Sequence, residues 1–167
     1  MDKLKNKILN TDQIKKIVKR IAYQIQENNL EYSEIILIGV YNNGYMLAKI
    51  IEKELKQISK SSIELISIKI NKENPLDKID LDYKKEYLKN KSIVLIDDVL
   101  HTGRTLIYCV KHLLDMSPRN FNTVVLVDRN HKKFPIKVDF KGISLSTSMS
   151  EHVEVVFEKN ESYVVIN

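Results

Sequence analysis

Ser92–Leu106 (SIVLIDDVLHTGRTL) constrains the fold of this chain more than any other stretch. Ile93–Ile96 is an unbroken apolar run, rich in β-branched residues and too short for a helix. Such runs are strands buried on both faces, as in parallel sheets. Asp97 and Asp98 put two carboxylates at the strand's end. Val99–Thr105 reads as a loop built around Gly103, and Thr105 is placed to cap a helix over Leu106–Asp115. Strand, loop and helix N-terminus in that order make an anion cradle, because free backbone N–H groups and the helix dipole converge there. Two acids beside such a cradle ask for a ligand carrying a phosphate together with hydroxyls or a metal. A ribose 5-phosphate meets that description.

The remaining elements build a sheet around this strand. Thr11–Asn28 reads as a helix capped by Thr11 or Asp12, with Ile14, Ile17, Val18, Ile21, Ala22 and Ile25 on one stripe. Glu34–Val40 is a second buried strand, followed by the turn Tyr41–Gly44 and a helix over Tyr45–Lys56. Ser62–Ile70 alternates as a third strand, and Asn71–Lys91 reads as a polar, mobile excursion over the carboxyl edge of the sheet. Asn122–Val127 is another strand, with Asp128 and Arg129 at its end. Strands alternating with helices predict an α/β fold, a parallel sheet with helices on both faces. Ligands of such sheets sit outside the carboxyl ends of the strands. Tyr41–Gly44, Asp97–Thr105 and Asp128–Arg129 therefore converge on one edge. Beyond Lys132, Ile136–Phe140, His152–Phe157 and Tyr163–Ile166 are short and β-rich with no helix between them, and predict a small antiparallel cap. The expected organisation is a single domain, with a core over about 11–130 and a hood over about 131–167.

Composition narrows the class. No apolar run reaches the roughly 18 residues of a membrane span, and the Lys- and Asn-rich N-terminus lacks the apolar stretch of a secretory signal. The single cysteine, Cys109, lies in an amphipathic helix and reads as core packing; one thiol makes no disulfide within the chain. The expected location is the cytoplasm. Net charge is +5, which permits nucleic acid as a partner without requiring it. Lys15, Lys16, Lys19 and Arg20 share the polar side of the first helix and offer contacts to an RNA backbone. Only four of the 27 basic residues are arginine, so Arg104 and Arg129 inside motifs stand out.

Ile96-Asp97-Asp98-Val99-Leu100-His101-Thr102-Gly103-Arg104-Thr105 resembles the phosphoribosyl-pyrophosphate (PRPP) motif of type I phosphoribosyltransferases. The likeness extends through Thr11–Asn28, Ile36–Glu54 and Leu126–Val156, where it is to the PyrR group, bacterial pyrimidine-operon regulators that also have uracil phosphoribosyltransferase activity. The segment Leu126-Val127-Asp128-Arg129-Asn130-His131, continuing to Thr147–Glu151, carries it most specifically. The resemblance implies a type I phosphoribosyltransferase core with a C-terminal β hood. Asp97 and Asp98 would take the ribose hydroxyls and reach Mg²⁺, directly or through water. Val99, Leu100, His101, Thr102, Gly103, Arg104 and Thr105 would hold the 5′-phosphate. Tyr41, Asn42, Asn43 and Gly44 would face the pyrophosphate, and Asp128, Arg129, Phe140 and Lys141 the base. The implied ligands are PRPP and uracil or UMP, and the implied assembly is a homodimer or homotetramer.

Two departures bear on chemistry. The turn Tyr41-Asn42-Asn43-Gly44 lacks the Lys and Arg that the family carries before its glycine. The segment 71–90 has no arginine, leaving Lys69 or Lys72 as point charges without a bidentate fork. Met149 and Tyr23 stand where the family has a lysine and a histidine in RNA-contacting segments. Three functions stay open on these residues: uracil phosphoribosyl transfer, a UMP- or PRPP-sensing RNA regulator with little turnover, and transfer to a purine on the same fold.

Overall fold

The computed structural model of the chain describes residues 6–148, 151–159 and 161–167; Met149 lies outside them. The chain opens with a short strand, β1 (Lys7–Leu9), and the helix α1 (Thr11–Asn28). The cap of α1 is Asn10, not Thr11 or Asp12. The Asn10 side chain accepts from Gln13 N and the Gln13 side chain accepts from Asn10 N, each at 2.9 Å, a reciprocal box that satisfies two orphan donors. Thr11 Oγ1 instead exchanges two 3.0 Å hydrogen bonds with the backbone of Ser162.

There follow β2 (Glu34–Val40), α2 (Asn43–Ile58), β3 (Ser62–Lys69), β4 (Asp80–Leu81), β5 (Ser92–Leu100), α3 (Arg104–Leu114), β6 (Asn120–Arg129), β7 (Phe140–Leu145), β8 (Val153–Phe157) and β9 (Ser162–Ile166). The six-stranded sheet runs β4-β3-β2-β5-β6-β7, parallel except for β4. Its central strands are apolar on both faces because both are covered. Ile35, Leu37, Val94 and Ile96 pack with α1 and α2; Ile36, Ile38, Ile93 and Leu95 pack with α3. The chain leaves β2 toward β3 and returns to β5 on β2's other side. The order therefore reverses between β2 and β5, where a crevice opens at the carboxyl ends.

Two regions depart from expectation. Ile136–Phe140 is not a strand of a cap. β7 begins at Phe140 and joins the main sheet in parallel with β6, Phe140 opposite Val124. The separate antiparallel sheet is β1-β9-β8, with the N-terminal segment supplying one edge. The segment 71–91 is anchored, since Leu88 in a single 3₁₀ turn is fully buried and Tyr83 Oη donates to Glu64 Oε2 at 2.7 Å. It lies against the α3 face, with Ile79, Leu81 and Tyr83 packed on that core. Cys109 is a core residue, and burial, with the Asp97 charge second, pushes its thiol up to about 12. Among the described residues no helix is long and apolar enough to cross a membrane.

Candidate active site

β5 continues through the acidic pair, so Asp97 and Asp98 are strand residues whose side chains serve different surroundings. Asp97 is 5% exposed and accepts from Asp98 N at 2.9 Å. Burial, then the neighbouring Asp98 charge, holds its carboxyl well above the usual range, and Lys72 offsets part of that rise. Asp98 Oδ2 accepts from Asn43 Nδ2 at 3.0 Å, and the same amide donates to Val155 O at 2.9 Å. One side chain from the first turn of α2 thus ties the second acid to the cap strand β8.

Two glycines permit this geometry. A Cβ at Gly44 would stand 2.7 Å from Ile96 O and 3.0 Å from Asp97 Oδ1, so only glycine lets α2 begin against the end of β5. Gly103 has φ +83°, and a Cβ there would meet Ile136 Cγ2 at 2.6 Å. Gly103 is also the residue that starts α3; Thr105 lies inside the helix and caps nothing. Thr102 Oγ1 accepts from Arg104 N at 3.2 Å, and Thr102 O is held by Lys133 N and Phe134 N at 2.9 and 3.0 Å. Gly103 itself supplies no side-chain cap, so beyond Arg104 N the first turn of α3 stays open to an anion.

Two adjoining clefts meet at this edge. The first, about 280 Å³, is lined by Asp97 and by every residue from Val99 to Thr105. The second, about 240 Å³, is lined by Asn43, Asp98, Arg129 and Val155. Lys72, Val99, His101 and His152 border both. A cleft of about 440 Å³ lies elsewhere, between the 75–81 segment and the outer side of α3. It gathers neither the acid pair nor the glycine turns, so size does not identify the site. His101 is exposed at its surface, and partial burial, then the Arg129, His152 and Lys133 charges, lower its pKa.

The residues expected around a base are scattered. Asp128 is 3% exposed and neutralised from both sides, with Lys132 Nζ 2.8 Å from Oδ1 and Lys141 Nζ 2.9 Å from Oδ2. Desolvation alone would raise its carboxyl, but the two lysines bring it below the usual range. Arg129 Nε donates to Thr147 Oγ1 at 2.8 Å and Nη2 to Ser148 O at 3.1 Å, so this arginine fastens the segment after β7. Phe140 sits in the core on the α1 side, because β7 starts rather than ends there and its carboxyl end is Leu145. Of the four, Arg129 alone borders the second cleft. In the 41–44 turn, Asn42 makes no side-chain cap and Tyr41 lies under Lys69 Nζ at 5.0 Å. The sequence reading missed His152; as a lone histidine in a β-rich segment, it carried no local signal.

Asp97 and Asp98 together fit a hard cation that draws most of its oxygens from a phosphate ligand and water. Among the described residues no group of three or more His, Cys, Asp or Glu could form a protein cage for an ion.

Known proteins resemble this chain in sequence and in fold. The phosphoribosyl transferase domain family matches residues 5–160. The bifunctional protein PyrR of Pediococcus pentosaceus is 33% identical over 98% of each chain. That of Fusobacterium nucleatum is 35% identical over 91% of this chain and 90% of its own. Among solved structures, the hypoxanthine phosphoribosyltransferase of Trypanosoma cruzi with IMP superposes with a TM-score of 0.81, covering 99% of this chain and 95% of that one at 14% identity. A hypoxanthine-guanine phosphoribosyltransferase from Bacillus anthracis gives 0.74 at 19% identity over 89% of this chain and 86% of that one; at such identities the likeness is of fold. The acid pair, the glycine-initiated helix and the matched length together make this chain a member of the phosphoribosyl transferase family, within its PyrR group.

Proposed function

We infer that the protein transfers the phosphoribosyl group of PRPP to uracil, giving UMP and pyrophosphate. The observation that carries the reading is the pair Asp97 and Asp98 bordering adjoining clefts beside the uncapped start of α3. The α3 turn holds the 5′-phosphate, a handle whose binding energy positions the reacting carbon. Asp98, aligned by Asn43, orients the ribose hydroxyls. Asp97 is a buried carboxyl whose ionised form a cationic or hydroxyl-bearing ligand would stabilise. The C1–O bond breaks with its electron pair leaving on pyrophosphate, the uracil N1 lone pair forms the new bond, and the N1 proton passes to solvent water. Asp97 and Asp98 would hold Mg²⁺ jointly with the substrate, and the ion supplies charge compensation for the pyrophosphate. No side chain serves as a nucleophile.

The resemblance to the PyrR group favours uracil, and structural neighbours named for hypoxanthine keep a purine in the test. The protein is incubated with PRPP, Mg²⁺ and uracil, hypoxanthine or guanine in turn, and pyrophosphate and nucleotide are measured. Release with uracil and not with purines is expected. Release with a purine alone, or with none of the bases, overturns the uracil reading. A slow or regulatory protein is the second reading, favoured by the engagement of Asn43 with Asp98 and Val155, which leaves the pyrophosphate turn without a free charged group.

A further inference from the structure

The turn after β2 is expected to meet the leaving group, yet its groups are otherwise occupied or neutral. Asn43 Nδ2 is shared between Asp98 and Val155 O. Lys69 lies over the Tyr41 ring. The other cations near the edge are also committed: Arg129 to Thr147 and Ser148, Lys132 and Lys141 to Asp128. Arg104 borders only the first cleft. Three cation-forming side chains border both clefts; apart from His101, which belongs to the turn before α3, they are Lys72 from the segment after β3 and His152 at the entry to β8. Neither makes a side-chain hydrogen bond or ion pair among the described residues. His152 is nonetheless held in place, since its backbone exchanges two 2.9 Å hydrogen bonds with Asn167. Lys72 is near enough to Asp97 to counter part of that acid's raised pKa.

We propose that Lys72 and His152 together bind the diphosphate arm of the phosphosugar, so that the charge for the leaving group comes from across the cleft and from the cap instead of from the 41–44 turn. The inference rests on the transferase reading above. Lys72 supplies a point charge and His152 a hydrogen-bond donor, the two kinds of group a diphosphate recruits. His152 would be a ligand contact absent from the acid pair and the α3 turn, and would make the cap part of the site.

The test compares PRPP with Mg²⁺ against UMP as probes, by titration calorimetry, for the parent, Lys72→Met, His152→Ala and His152→Lys. UMP carries the 5′-phosphate but no diphosphate. Lys72→Met and His152→Ala should each weaken PRPP about 10-fold or more, the scale of one lost charge-assisted contact, and UMP less than about 2-fold. His152→Lys should restore PRPP affinity, which a purely structural role of the imidazole would not allow. PRPP affinity unchanged in both variants overturns the proposal, as does an equal loss for both ligands. If the parent binds neither ligand, the transferase reading itself fails, an outcome distinct from these. Lys72 lies on an exposed segment, so its variant carries the test even where a change at His152 disturbs folding.

Discussion

The two edges of the sheet solve the same problem in opposite ways. At the amino edge, Asn29, Ser92, Asn120 and Asn122 are polar side chains drawn together around one end of α1. Asn29 Nδ2 donates to Ile25 O at 2.8 Å, and Asn120 Nδ2 lies 3.1 Å from Asn29 Oδ1 and 3.2 Å from Asn122 Oδ1. Ser92 Oγ donates to Asn29 Oδ1. These groups are neutral and satisfy one another, so burial costs little. At the carboxyl edge the buried polar groups include two carboxyls: Asp128 is paired with Lys132 and Lys141, while Asp97 has no cationic side chain bonded to it. The contrast teaches that polarity and burial do not mark a site; a buried carboxyl left without a protein counter-charge does.

Four experiments break or sharpen that contrast. Asp98→Asn should have the largest effect. It leaves the side-chain volume nearly unchanged but removes the charge proposed to orient ribose, so turnover should fall about 10²-fold or more, with melting close to the parent's. Steady-state pyrophosphate release decides it, and turnover within threefold of parent would remove Asp98 from the reaction. Asn29→Ala attacks the other edge. Removing a partner there strands Ser92 and Asn120, at a cost of about 1–3 kcal/mol. Chemical denaturation should read that loss while UMP affinity stays put. A UMP affinity that fell with stability would mean the edges are coupled.

Asp97→Asn should move stability the other way. The folded carboxyl sits above its unfolded value, so the native state keeps a proton that the unfolded chain has already released. That contribution is complete below the ordinary carboxylate range and disappears as pH rises through the raised value. The ligand-free parent should therefore lose stability across that window, and Asp97→Asn should not. Above it, the variant's Tm should be higher by about 3 °C, roughly 1 kcal/mol in a domain of this length, while its ligand response disappears. Melts across pH check this, and parallel curves for the two proteins would refute it. RNA binding should change least. Arg20 is spent on Lys141 O and Gly142 O at 3.1 and 2.7 Å, which leaves Lys15, Lys16 and Lys19. Three phosphate contacts predict a slope of about −2 in log affinity against log salt, with little preference among sequences. Tight, sequence-selective binding of one stem-loop at physiological salt would contradict it.

Local chemistry was legible in the sequence, because it is carried by residues adjacent in the chain. The apolar runs of β2, β5 and β6 declare strands covered on both faces, and the stripe of α1 declares one buried side. Asp97, Asp98 and Gly103 lie within seven residues, so their strand, acids and turn travel together. What tertiary structure alone decided is which side chains are free. Asn43 is committed to partners 55 and 112 positions away. Arg129 and Asp128 look like ligand residues until Thr147, Lys132 and Lys141 are seen to occupy them. The family resemblance puts Phe140 beside the base, whereas the structure packs it in the core. Its place in the core follows from the β6–β7 register, which depends on a non-local pairing and on α1 covering that face. A motif thus names the groups that can do chemistry, and long-range packing determines which of them remain unpartnered to do it.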